Sequence, residues 1–128
     1  MIVVDSSVWI AALRSTHGPE GAILTKLLDA DEVALPHPVR VELLSGVSNR
    51  DRAALQRALT ALPLLYPTDD TWRLIDRWIT DAGARGRRFG FGDLLIAALA
   101  HEVGGRIWSL DADFTRMEKF GMARAYEP

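Results

Sequence analysis

Ile2-Val3-Val4-Asp5-Ser6-Ser7-Val8-Trp9-Ile10-Ala11-Ala12-Leu13 is the stretch that decides the fold. Its first three residues are β-branched and predict a short strand. Asp5 ends that run. Ser6 and Ser7 are good helix N-cap residues, and the apolar stretch behind them suits a buried helix.

Strand followed by helix sets the pattern for the remaining chain. Thr16–Pro19 is a turn, and Gly21–Ala30 carries Ile23, Leu24, Leu27 and Leu28 on one helical face. Val33-Ala34-Leu35 predicts a second strand, closed by Pro36. Helices follow over His37–Val47 and about Asp51–Leu62, the latter burying Leu55, Ala58, Leu59 and Leu62. Leu64-Leu65-Tyr66 is a third strand. Asp69 or Asp70 caps a long helix in which Trp72, Ile75, Ile79 and Ala82 repeat every three to four residues. Ala84–Gly92 is a basic, glycine-rich loop. Asp93–Val103 is a strongly apolar helix stopped by Gly104-Gly105. Ile107–Leu110 predicts a fourth strand, Asp113–Phe120 a short helix and Met122–Tyr126 a fifth strand. The alternation predicts an α/β fold, a parallel sheet of four to five strands covered on both faces in three α/β/α layers. Ligands of such sheets bind at the carboxyl ends of the strands.

The chain has 128 residues, which suits one domain over 1–128. With 48% hydrophobic and 25% charged residues it has the balance of a globular protein rather than a disordered one. It has no cysteine, so neither a disulfide framework nor a thiolate metal site is available. Its longest apolar runs, Val8–Leu13 and Leu94–Ala100, fall far short of the ~20 residues that span a bilayer. Met1–Asp5 lacks the basic and long apolar regions of a signal peptide. A cytoplasmic protein without a membrane partner is expected. The net charge of −2 argues against a simple basic nucleic-acid clamp.

The acidic residues fall at telling places. Asp5 and Asp111 each follow a predicted strand. Asp93 opens a buried helix, and Glu42 sits among apolar neighbours in Val41-Glu42-Leu43-Leu44. Singly, each has an ordinary structural reading as a helix cap, a dipole partner or a solvated side chain. Together they can face one cleft, where crowded carboxylates are tolerable only if protonated or neutralised by cations. Oxygen-only ligands select hard cations, so Mg²⁺ or Mn²⁺ is the natural filler.

Four segments taken together resemble the PIN-domain ribonucleases, and more closely the VapC-type toxins of bacterial toxin–antitoxin pairs. They are Asp5-Ser6-Ser7-Val8-Trp9-Ile10, Val41-Glu42-Leu43-Leu44-Ser45-Gly46, Asp93-Leu94-Leu95-Ile96-Ala97-Ala98 and Ser109-Leu110-Asp111-Ala112-Asp113-Phe114. The resemblance implies a PIN-like fold and Mg²⁺- or Mn²⁺-dependent endonucleolytic cleavage of RNA, with water as the nucleophile. It implies that Asp5, Glu42, Asp93 and Asp111 form a catalytic, metal-binding quartet with Asp113 as an auxiliary ligand. Ser6 and Ser109 stand where the family often has threonine, and would donate hydrogen bonds to the carboxylates. Homodimerisation is also implied, as is silencing by a cognate antitoxin whose C-terminal segment lies across the site.

Arg87 and Arg88, which lead into Asp93, are expected to hold RNA phosphates. Arg85 suits a helix end. Phe89 and Phe91 either stack on bases or anchor the loop in the core. Trp9 and Leu13 could edge a groove for a partner. His37 and His101 are not obvious general bases.

Four other functions compete, one of them a PIN scaffold that only binds RNA or a partner protein, against which the intact acidic quartet counts. An RNA-processing nuclease outside a toxin–antitoxin pair would share all these residues. A receiver-like signalling domain would want paired acids at the first strand, and Val4-Asp5 lacks the pair. An aspartyl phosphatase would want an acid at position 7, where Ser7 stands.

Overall fold

A computed structural model describes residues 1–128. In chain order the elements are β1 (Ile2–Val4), α1 (Ser6–Arg14), α2 (Pro19–Asp29), β2 (Val33–Pro36), α3 (His37–Gly46) and α4 (Asn49–Thr60). They continue with β3 (Leu64–Leu65), α5 (Asp69–Ala84), α6 (Phe91–Glu102), β4 (Arg106–Trp108) and α7 (Asp113–Glu118). The strands form one parallel sheet in the order β3-β2-β1-β4. Adjacent residues of a strand point to opposite faces. Val3 and Val4 of β1, and Ala34 and Leu35 of β2, all have no exposed surface, so helices cover both faces. No helix is long and apolar enough to cross a membrane.

β1 occupies an inner position, with Ile2 and Val3 paired on both sides and Val4 with β4. Val3 stands opposite Ala34 and Ile107, and Val4 opposite Trp108. Helix α6 is the second buried element. Every residue from Leu94 to Ala100 is buried, as a helix apolar on all sides requires.

Four local expectations change. Met122–Tyr126 contributes one parallel bridge, Ile107 to Ala125, rather than a fifth strand. Met122 and Ala123 are buried in the core beside the sheet, and only the short piece after them reaches β4. The N-cap of α1 is Asp5, with Ser6 and Ser7 already in the first turn. In α4, Leu59 is buried while Ala58 is exposed. The long helix α5 is capped by Thr68, whose capping box with Thr71 replaces the expected aspartate cap.

Helix α5 also turns a different face inward. Thr71, Leu74, Ile75, Trp78 and Ala82 are buried, whereas Trp72 and Ile79 stay 40% and 54% exposed. Two apolar stripes one residue apart overlap on this helix, so spacing alone leaves about 100° of rotation open. The Thr71 hydroxyl, donating to Glu102 Oε1 at 2.6 Å, ties the chosen face to the end of α6.

Candidate active site

Parallel strands bring their carboxyl ends to one rim, and β1 lies next to β4. The Asp5 N–H donates to the Trp108 carbonyl at 2.9 Å, which sets the residue after β1 beside those after β4. Asp5 holds the N-cap position of α1, yet its side chain makes no cap hydrogen bond. The carboxylate is thus free for other work although the residue is only 6% exposed. Asp93 lies in the first turn of α6, Glu42 on the exposed side of α3, and Asp111 in the loop after β4. Asp5, Glu42, Asp93 and Asp111 line one open cleft of about 380 Å³.

Within it the spacing is uneven. Carboxylate oxygens of Asp93, Asp111 and Asp113 lie within 4.8 Å of one another. Asp5 and Glu42 face the same cleft from outside that tight group. Local bonds fix the loop that carries two of the acids. The Asp111 N–H donates to Ser109 Oγ at 2.9 Å, and the Asp113 N–H donates to Asp111 Oδ1 at 2.9 Å. Arg116, one turn along α7, donates to Asp113 Oδ1.

The electrostatics follow from burial together with this crowding. Asp93 has its pKa pushed up to about 7. Burial is the largest cause, followed by the charge of Asp111, a hydrogen bond shared with Asp113, and the charges of Asp113 and Asp5. The α6 dipole favours the charged form by only ~0.3–1 kcal/mol, and it is outweighed. A carboxyl half-protonated near neutral pH marks a place short of positive charge. All the donors are hard oxygens, with neither histidine nor cysteine among them, so the group fits a divalent cation of the Mg²⁺ class.

Three hydroxyls touch the acids. Ser6 Oγ donates to Glu42 Oε2 at 3.2 Å, and Ser109 Oγ donates to Asp5 Oδ2 at 2.8 Å. Ser7 Oγ also donates to Asp5 Oδ2 at 2.8 Å. Sequence reasoning treated Ser7 only as a cap residue, although its spacing of two from Asp5 suits a side-chain hydrogen bond. It also passed over Arg116, whose i,i+3 spacing from Asp113 is a readable helix pairing.

The surroundings separate the remaining candidates. Arg87 and Arg88 are exposed and border an apolar groove of about 340 Å³ lined by Ile75, Ile79, Phe89 and Phe91. They do not line the carboxylate cleft itself. The Arg85 guanidinium sits 4.2 Å over the Phe120 ring. Phe89 packs edge-on against Phe120, whereas Phe91 is 70% exposed and stacks on Trp72. Trp9 is buried and does not edge a groove; Ile10 and Leu13 are the exposed apolar residues of α1. His37 stacks on Tyr66 and His101 meets Trp78 edge-on, and neither lines the carboxylate cleft.

Comparison with known proteins agrees with this geometry. Residues 2–120 match the PIN domain family. The chain is 34% identical over 123 residues to Ribonuclease VapC11 of Mycobacterium tuberculosis, covering 89% of each protein. It resembles the crystal structure of FitAcB from Neisseria gonorrhoeae with a TM-score of 0.80 at 20% identity, over 100% of this chain and 98% of that one. VapBC-5 from Mycobacterium tuberculosis, a member of the VapBC family of toxin–antitoxin systems, gives a TM-score of 0.65 at 26% identity, over 98% and 97% of the two chains. With a four-strand parallel sheet, an acidic rim at its carboxyl end and these relatives, the chain belongs to the PIN-domain family and, within it, to the VapC ribonucleases.

Proposed function

We propose that the protein is an endoribonuclease that hydrolyses RNA phosphodiesters with Mg²⁺ or Mn²⁺, as the toxin of a toxin–antitoxin pair. The observation that carries this reading is the group Asp93, Asp111 and Asp113, in which burial first and the neighbouring carboxylates second make Asp93 resist ionisation. Asp5 and Glu42 complete the acidic wall of the cleft. A bound divalent cation would supply Lewis-acid stabilisation of the phosphate and a more acidic water. The chain's own residues do the placing. Asp93, Asp111 and Asp113 hold the positive charge, Asp5 and Glu42 extend the acidic surface, and Ser6, Ser7 and Ser109 orient two of the carboxylates. None of the three cleft serines is hydrogen-bonded to a histidine or lysine; each donates to a carboxylate that this reading assigns to the cation.

The test is cleavage of a structured RNA by the purified chain. Cutting is expected with Mg²⁺ or Mn²⁺, loss in EDTA, and recovery when Mn²⁺ is restored in excess. Undiminished cutting in EDTA would sink the proposal.

Phosphate binding is assigned to Arg87 and Arg88, which make no ion pair with the protein's own acids and are free for a ligand. Replacing both by alanine is expected to weaken RNA binding and flatten its salt dependence. Two lost contacts correspond to a slope change of about 1.4 in log K against log salt, at ~0.7 per phosphate on single strands. An unchanged slope returns both residues to a purely solvated role.

Silencing by an antitoxin belongs to the same proposal. Ile10 and Leu13 lie one turn apart on α1 and remain exposed, and Ile10 borders the carboxylates. Such an edge suits an amphipathic segment that sets apolar side chains on α1 and a basic one among the acids. Association as a homodimer is part of the reading.

A further inference from the structure

Asp5 is the most buried of the cleft's acids, and one of its oxygens receives two hydroxyls. Ser7 Oγ and Ser109 Oγ both donate to Oδ2 at 2.8 Å. The proton directions are settled by what else each hydroxyl does. Ser7 Oγ accepts the Leu110 N–H at 3.1 Å, and Ser109 Oγ accepts the Asp111 N–H at 2.9 Å. Each hydroxyl carries one proton, and each proton is directed at the carboxylate. The 3.3 Å approach of the two serine oxygens is then a consequence of their shared acceptor. Hydroxyl-to-carboxylate bonds are roughly twice as strong as neutral ones, so Oδ2 is firmly held and Oδ1 is left without a protein partner.

Ser109 sits on the same loop as Asp111, so its bonds alone would anchor that loop to Asp5. Ser7 approaches from the other side, on the first turn of α1, and grips both Asp5 and the Leu110 backbone. With Ser109 it ties the β1–α1 turn to the loop after β4, and it adds the hold on the Leu110 backbone. We propose that Ser7 is a positioning residue: through its hydroxyl it fixes the Asp5 carboxylate and sets the spacing between Asp5 and Asp111 that a divalent cation meets.

This inference rests on the reading of the cleft as a divalent-cation site, and the test keeps the two apart. Mn²⁺ alone is titrated into the metal-free protein and followed by the loss of the free-ion electron paramagnetic resonance signal. Thermal unfolding in EDTA is measured alongside. Ser7→Ala is expected to weaken Mn²⁺ binding by about 10–100-fold, the usual cost of losing an outer-shell partner, while the metal-free unfolding temperature stays close to wild type. Ser7→Thr, which keeps the hydroxyl, is expected to restore affinity. In RNA cleavage, the Ser7→Ala defect is expected to shrink as Mn²⁺ is raised, with KM for RNA unchanged. Wild-type Mn²⁺ affinity in Ser7→Ala, while Asp93→Asn loses binding, overturns the role of Ser7 and leaves the cation site standing. An equal loss in Ser7→Thr and Ser7→Ala also overturns it. Wild-type Mn²⁺ affinity in Asp93→Asn overturns the cation site, and this inference with it.

Discussion

Asp93→Asn is expected to reduce RNA cleavage by more than about 100-fold, beyond the range lost with an outer-shell partner. The substitution is nearly isosteric, so the first turn of α6 and the buried stretch behind it are retained. What disappears is the one carboxylate that meets both Asp111 and Asp113 closely. Asparagine still offers a carbonyl oxygen, but it carries no charge for a divalent cation. Cleavage assays over a range of Mn²⁺ concentrations, at pH 8 where wild-type Asp93 is ionised even without metal, give the clearest reading. Cleavage within about tenfold of wild type would remove Asp93 from the metal-binding role, since tenfold is only the lower bound of an outer-shell loss.

The same residue is expected to make the metal-free protein less stable as pH rises. Asp93 titrates at about 7 in the folded chain and near ~3.9 when unfolded. Between those values the unfolded state binds fewer protons, so stability falls with increasing pH. The contribution of the protonated carboxyl is fully present below about pH 4 and is lost as pH passes through 7. Other groups shift the absolute curve, so the informative quantity is the difference between wild type and Asp93→Asn in EDTA. Asparagine does not ionise, and the variant is expected to melt a few degrees above wild type at pH 8 and to lose that advantage toward pH 5. At this chain length ~1 kcal/mol is worth roughly 2–8 °C. Adding Mn²⁺ at pH 8 is expected to reverse the order, since a ligand at 100 times its Kd stabilises by ~2.7 kcal/mol and the variant would not bind it. A variant that melts below wild type at pH 8 without metal would mean that Asp93 supports the fold rather than strains it.

Much of this was legible along the chain, and the exceptions share a cause. Ile2–Val4 followed by Asp5 announced a short strand ending in an acid, and its unbroken apolar run suits burial on both faces. Leu94–Ala100 announced a buried helix for the same reason. The rotation of α5 was not legible, since Trp72 and Ile79 compete with Leu74 and Trp78 for the inner face and only packing decides. Met122–Tyr126 has strand-like composition, but a ladder depends on how far the neighbouring strand extends, and β4 meets it at one residue. In the cleft, the four acids could be placed on strand ends and helix starts. The unevenness of their spacing, with Asp113 drawn closer to Asp93 than its sequence position suggests, arises from turn bonds at Asp111 and from Arg116. Of the two hydroxyls on Asp5, the resemblance implies the Ser109 bond and a spacing of two suits the Ser7 bond, but that both meet on one oxygen is decided by packing.

The pairing of β1 with β4 joins segments far apart along the chain, with Val4 opposite Trp108. Closing so long a loop is slow compared with local helix formation. During synthesis, Asp5, Glu42 and Asp93 emerge before the strand that must lie beside Asp5, and Ser109, Asp111 and Asp113 emerge after it. The acidic cleft therefore comes into being only after β1, α3 and α6 have been joined by β4. A chain cut short before Arg106 lacks not only two of the acids but also the neighbour that sets Asp5 in place. Chain order itself keeps a nuclease unarmed until β4 and the loop after it have been made.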